Sequence, residues 1–149
     1  MSMFDAFNIN ASGMTAQRYR MDTISENVAN ANTTRTADGT PYRRKVVVFE
    51  EKGGQTSFSH VLGEAAYSHG YTGKGVKVSG VYEDYETEMT MAYDPAHPDA
   101  DENGYVTYPN VSIITEMTNM IDASRAYQAN ATAFNTSKAM ALQGLELNS

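Results

Sequence analysis

Residues 1–34 and 111–149 share a composition that the residues between them lack: poor in charge, rich in Ala, Asn, Ser and Thr, with apolar residues at steps of three, four and seven. In the first segment Met3, Phe7, Met14, Met21, Ile24, Val28 and Ala31 fall on one stripe, with Ala11 filling a gap. In the second, Ile113, Met117, Met120, Tyr127, Ala131, Phe134, Ala141 and Leu145 do the same. This spacing predicts two long helices, each with a single apolar face. A solitary helix would leave its row of Met and aromatic side chains in water, and burying each is worth roughly 1.5–3 kcal/mol. The rows therefore need each other or other copies. Both are imperfect: Asn10, Gln17, Ser124 and Lys138 interrupt them, and Gly13 costs about 1 kcal/mol relative to Ala inside a helix. A hairpin of these two helices alone is marginal, so the stripes either complete an ordinary globular core or form a coiled coil that gains stability when many subunits pack together.

Between the stripes the pattern changes. Asn27, Asn30 and Asn32 tolerate capping geometry and Thr33 and Thr34 favour extension, so the first helix ends near 30–34. A turn at Ala37-Asp38-Gly39 precedes a strand over 42–51, where Val46, Val47, Val48 and Phe49 are flanked by charges. The stretch 53–75 has no strong period and reads as a mobile loop. Strands over 76–82 and 87–93 predict a small antiparallel sheet. Pro95, Pro98 and Pro109 then exclude a helix until Val111. The second helix starts there, with Asn110 or Ser112 as N-cap and Glu116 near the positive end of its dipole. Its length, about 50 Å at 1.5 Å per residue, exceeds the core of so small a domain. The expected fold is mainly α with a small β-rich insert: an N-terminal helix over 1–34, a central antiparallel β domain over 35–110 and a C-terminal helix over 111–149, the two long helices paired as a coiled coil.

With 149 residues and 41 % hydrophobic content the chain is one structural unit. Eleven basic against eighteen acidic residues give a net charge of −7, which argues against nucleic acid as a partner because phosphate contacts need clustered cations. The one basic cluster is Arg43, Arg44 and Lys45, which could answer the acidic stretch Glu83, Asp84, Glu86, Glu88, Asp94, Asp99, Asp101 and Glu102 across an interface. That acidic stretch reads as a solvated face. The opening MSMFDAFNIN has neither a basic nor an apolar signal-peptide region, and no run is long enough to cross a bilayer. Cysteine is absent, so disulfide and thiol chemistry are excluded.

Motifs of catalysis and ligation are incomplete. Asp99-x-Asp101-x-Asn103-Gly104 imitates the first half of an EF-hand loop, but Asn110 occupies the twelfth position, where a bidentate Glu is required, and prolines replace the entering helix. His60, His69 and His97 lack metal-ligand spacing. Gly70-Tyr71-Thr72-Gly73-Lys74-Gly75 lacks the P-loop spacing and its hydroxyl residue. No catalytic, cofactor-binding or metal site is expected.

Specific words carry more information than periodicity. Ile24-Ser25-Glu26-Asn27-Val28-Ala29-Asn30-Ala31-Asn32-Thr33-Thr34, followed by Gly39 and Tyr42-Arg43-Arg44-Lys45, resembles the N-terminal signature of bacterial flagellar rod and hook proteins. Tyr93-Asp94-Pro95-Ala96-His97-Pro98-Asp99-Ala100-Asp101 through Gly104-Tyr105-Val106 and Pro109-Asn110-Val111, together with Met117-Thr118-Asn119-Met120-Ile121-Asp122-Ala123-Ser124-Arg125-Ala126-Tyr127-Gln128-Ala129-Asn130, narrows the resemblance to the C-type proximal-rod family of the flagellar basal body. The resemblance implies a structural subunit, not an enzyme, of the torque-transmitting shaft that crosses the periplasm. It also implies export without a cleaved signal peptide through the flagellum's type III apparatus. Implied partners are other copies, other proximal and distal rod proteins and the hook-basal-body adaptor. Another rod or hook subunit, or a soluble helical-hairpin adaptor, are the competing readings.

On this reading the assembly interface comprises Met3, Phe7, Met14, Met21, Ile24, Asn27, Val28 and Asn30 with Ile113, Met117, Met120, Tyr127, Asn130, Ala131, Phe134 and Leu145. These residues pack partly within and partly between subunits. Asn27, Asn30, Asn119, Asn130 and Asn135 would fix register, and Ala123, Ala126, Ala129, Ala131 and Ala133 would let adjacent helices approach closely. Weak pairing in the free subunit would ease passage through a narrow channel and delay premature polymerisation.

Overall fold

The computed structural model describes residues 3–53 and 73–146, with helix α1 at Met3–Ala29 and helix α2 at Ile113–Glu146. Four strands lie between them in sequence: β1 at Lys45–Glu51, β2 at Val76–Glu83, β3 at Thr90–Tyr93 and β4 at Tyr105–Tyr108. The chain is mainly helical with a small β part. Most of the loop expected at 53–75 lies outside the described residues.

α1 and α2 pack against one another along their lengths. The pairing is antiparallel: Phe7 meets Phe134 with ring centroids 5.1 Å apart, Gly13 lies on Asn130, Arg20 reaches Asn119 and Asn27 reaches Glu116. At Gly13 the close approach is explicit, since a Cβ there would lie 2.8 Å from Asn130 Oδ1. Ala16 and Ile24 on α1 and Ala123 on α2 are buried. α1 ends where Asn30 donates to the Glu26 carbonyl at 3.1 Å and Thr33 to the Asn30 carbonyl at 3.0 Å. Ser112 rather than Asn110 caps α2, accepting from the Thr115 N–H at 3.4 Å.

The β residues form two separate two-stranded ribbons instead of the single small sheet expected. β1 pairs antiparallel with β2 from Lys45↔Glu83 to Glu51↔Val76, with a bulge at Val48/Phe49. Val47 and Phe49 are half-buried while Val46 and Val48 are exposed. This ribbon lies on α1. Ser12 Oγ accepts the Val76 N–H at 3.1 Å and donates to the Ile9 carbonyl at 2.7 Å. Gly75, at φ +95°, crosses so close to α1 that a Cβ would lie 2.2 Å from Ser12 Oγ.

β3 pairs with β4 from Thr90↔Tyr108 to Tyr93↔Tyr105. β4 was hidden in sequence by the prolines and acids around it, although Tyr105-Val106-Thr107-Tyr108 is a run of strand formers. The 94–104 connection is a hairpin loop whose acids hold its own backbone: Asp101 Oδ1 accepts from the amides of Asn103 and Tyr105 at 2.9 and 2.8 Å. Asp99 ties the loop to the chain leaving α1, accepting from Thr34 Oγ1 at 2.8 Å and facing Arg35 at 3.7 Å. The EF-hand-like carboxylates therefore act as turn and tether groups. Among the described residues the buried apolar core is small: Ala16, Ile24, Ala31, Tyr42, Val106 and Ala123. No helix among them is long and apolar enough to cross a membrane.

Candidate functional site

Where the helical hairpin meets the β ribbons, the structure places a polar cluster. Glu116, one turn into α2, is 1 % exposed. Its Oε1 accepts from Arg44 Nε at 2.8 Å and faces Arg44 Nη2 at the same distance. Its Oε2 accepts from Asn27 Nδ2 at 3.0 Å. Asn27, buried in the last turns of α1, also donates to the Lys45 carbonyl at 2.8 Å. In return Asn27 Oδ1 accepts the Lys45 N–H at 2.9 Å and the Tyr42 hydroxyl at 2.8 Å. Asn110 completes the set: its Oδ1 accepts the Arg44 N–H at 2.8 Å, and its Nδ2 donates to the carbonyls of Asp84 and Thr87 at 2.9 and 3.1 Å. Each polar side-chain atom of Glu116, Asn27 and Asn110 is thus answered, as a low-dielectric interior requires. The cluster joins α1, β1, the end of β2 and α2 in one clasp.

Electrostatics follow from this packing. Burial, with the carboxylates of Glu26, Glu116 and Glu83 nearby, pushes the Tyr42 hydroxyl from 10.0 up to about 12. The Thr87 amide and hydroxyl, the Glu86 amide and the Arg44 guanidinium hold the Asp84 carboxyl below its ordinary value. Arg43 lies over the Tyr85 ring, 4.2 Å from its centroid. Lys45 pairs with Glu26. The basic cluster expected to reach across an interface is therefore engaged within the chain, because strand β1 carries it between the end of α1 and the start of α2.

The expected interface residues divide by environment. Ile24 and Asn27 are buried and Phe7, Met14, Met21 and Val28 half-buried on α1, and Asn30, just past its end, is half-buried. On α2 Met120, Asn130, Ala131 and Phe134 are half-buried, whereas Ile113, Met117, Tyr127 and Leu145 are exposed. Met3 opens α1. Of the asparagines expected to fix register, Asn27 bridges elements, Asn119 accepts from Arg20, and Asn30 and Asn130 bond to carbonyls of their own helices. Asn135 is exposed. Ala123 lies in the hairpin's own seam, Ala126 and Ala131 are half-buried, and Ala129 and Ala133 are exposed.

On α2 the side turned from α1 carries Ile114, Met117 and Ile121, which are 81 %, 59 % and 53 % exposed. Their spacing of three and four places them in one ridge. Phe4, Met140, Leu142 and Leu145 are uncovered at the other end of the hairpin.

Two family models match the chain. Residues 7–35 fit flagella basal body rod protein, and residues 102–147 fit flagellar basal body rod FlgEFG protein, C-terminal. These stretches contribute Asn27 and both Asn110 and Glu116 to the clasp. The FlgC flagellar basal-body rod protein of Bacillus subtilis is 43 % identical, with 99 % of each chain covered. FlgC of Borreliella burgdorferi is 42 % identical over 94 % of this chain and 93 % of its own, and that of Salmonella typhimurium 41 % over 99 % and 98 %. The chain belongs to the FlgC family. As a FlgC-family protein it is a structural subunit of the flagellar basal-body rod and not an enzyme. The clasp is accordingly an architectural joint of the FlgC fold here, and the surfaces of interest are those left uncovered on its helices.

Proposed function

We propose that the chain assembles with other copies and with neighbouring proximal and distal rod proteins and the hook-basal-body adaptor, through its two terminal helices, into the periplasm-crossing shaft that transmits torque. The observation that carries this reading is the uncovered ridge Ile114, Met117 and Ile121 on a helix whose own hairpin buries few apolar residues. An apolar ridge on a long helix points to an interface. In the assembled shaft the exposed members of the expected set, Ile113, Met117, Tyr127 and Leu145, are covered by adjacent helices, and the paired helices run as a coiled coil.

Torque loads many subunits at once, so contacts distributed along helices of 27 and 34 residues resist shear better than one localised site. The thin internal core suits a subunit delivered by the flagellar type III export apparatus, because a chain with few buried contacts is readily unfolded. Met120→Asp or Phe134→Asp, half-buried on α2, should abolish incorporation into purified basal bodies while the β ribbons stay folded; normal rods from both variants would defeat the proposal.

A further inference from the structure

A notch with a volume of about 180 Å³ opens between α1, β1 and α2, beside the clasp. Arg20 stands at its wall, with Ile24, Val47 and Phe49 as apolar lining and Val46 at its rim. Arg44 also borders the notch, but its charge is balanced by Glu116 and Asp84. Arg20 differs. Its side chain is half-buried, and its one hydrogen bond runs from Nη2 to the neutral Asn119 Oδ1 at 3.5 Å, the outer limit of such a bond. Among the described residues no carboxylate lies within ion-pair distance of it. A guanidinium has five N–H donors in a planar fork matched to a carboxylate. Partial removal from water without a counter-ion leaves that fork underused.

We propose that the Arg20 notch receives an Asp or Glu side chain from a second copy of this chain, as a charge-specific contact between adjacent subunits. The occupant follows from charge complementarity. The chain carries a net −7, so the notch is a cationic pocket on an anionic molecule, and Asp22, Glu86, Glu88, Glu102 and Asp122 are exposed carboxylates that a neighbouring copy can offer. Apolar lining lowers the local dielectric and strengthens the pair once solvent is excluded. Where the notch and the carboxylate that fills it lie on different faces of the subunit, the contact is heterologous and repeats instead of closing on itself. This inference rests on the rod-subunit reading and adds to it the element that selects the neighbour.

The test uses the full chain in cells that lack the native copy, followed by purification of basal bodies. Recovery of the unmodified chain in those particles tests the rod-subunit reading by itself. Arg20→Glu should lower incorporation by about tenfold or more, with unchanged circular dichroism of the purified chain. Wild-type incorporation of Arg20→Glu overturns the inference and leaves the rod reading intact. Arg20→Lys then identifies the partner: carbodiimide treatment of basal bodies joins the introduced amine to a carboxylate in contact. The expected product is a cross-linked pair of copies of this chain, mapped from position 20 to an Asp or Glu. A link to a different rod protein or within one chain, or no link at that position, overturns it.

Discussion

Glu116 places a full negative charge in a helix seam, and such a charge is tolerated there only because Arg44 and Asn27 meet both of its oxygens. Removing one side of this arrangement strands the other. Glu116→Ala should destabilise the chain by about 3–5 kcal/mol, read from the urea midpoint, whereas a loss below about 1 kcal/mol would show that the pair is solvated in solution. Tyr42 gives a pH signature. Its hydroxyl is raised to about 12 in the folded chain and titrates near 10 when unfolded, so its contribution is complete below pH 10 and disappears as pH rises from 10 to 12. Tyr42→Phe should abolish that alkaline dependence, measured by denaturation at successive pH values, at a cost of about 1 kcal/mol at neutral pH. Asp84 works in the opposite direction. Its lowered folded value gives stability that is present above the ordinary carboxylate range and lost as pH falls through it. The clasp was partly legible beforehand. Glu116 precedes Met120, Ala123, Tyr127, Asn130 and Phe134 in unbroken steps of four and three, so a charge in that register demanded a partner, but its place in the first turn of a helix offered a sufficient local explanation. Arg44 could not be matched to it, since the pair spans 72 positions and depends on how β1 lies against both helices.

At the level of elements, the helices and the strands nearest them were readable because each has a period and a stop signal. α1, β1, β2 and α2 fall within a few residues of expectation, whereas β4 was lost inside an acidic, proline-bearing stretch and the two ribbons were merged into one sheet. Strand pairing is a long-range property: β1 finds β2 across the residues 52–75, and nothing local to either strand specifies that partner. By propensity Gly13 is a weak point of a helix, yet it lies at a close approach of α1 to Asn130. Gly13→Leu should therefore separate the helices and lower the melting temperature, whatever it gains in helix propensity; unchanged melting would show that the hairpin is not packed there. Gly75→Ala combines a positive φ with a collision against Ser12, and should cost of order 1–3 kcal/mol from backbone strain alone, detectable by chemical denaturation. The buried residues of the hairpin lie at Gly13 to Ala31 and at Asn110 to Ala123, while from Ser124 to Glu146 no described residue is buried. Helix stability comes mainly from packing, so in the dilute chain the amides of 116–123, the first of which donates to the Ser112 carbonyl, should exchange more slowly than those of 131–146.

Considered whole, the molecule keeps its firm contacts at one end, where helices and ribbons share the clasp, and leaves the remainder of its hairpin and the outer ridge of α2 thinly covered. The chain belongs to the FlgC family of basal-body rod subunits, and on the proposed reading a subunit of this build would gain most of its helix–helix core from its neighbours. The extremities, rich in apolar stripe and poor in charge, are legible in the sequence as long helices that need each other or other copies; which end of the hairpin is firmly packed, and which stripe residues face inward, follows only from the antiparallel register of α1 on α2. The most direct measurement is incorporation of the double variant Met117→Asp, Ile121→Asp into purified basal bodies, since both side chains are exposed in the isolated chain. The variant should fold and melt as the unmodified chain does yet be missing from the rod. Rods that contain it at normal abundance would contradict the account.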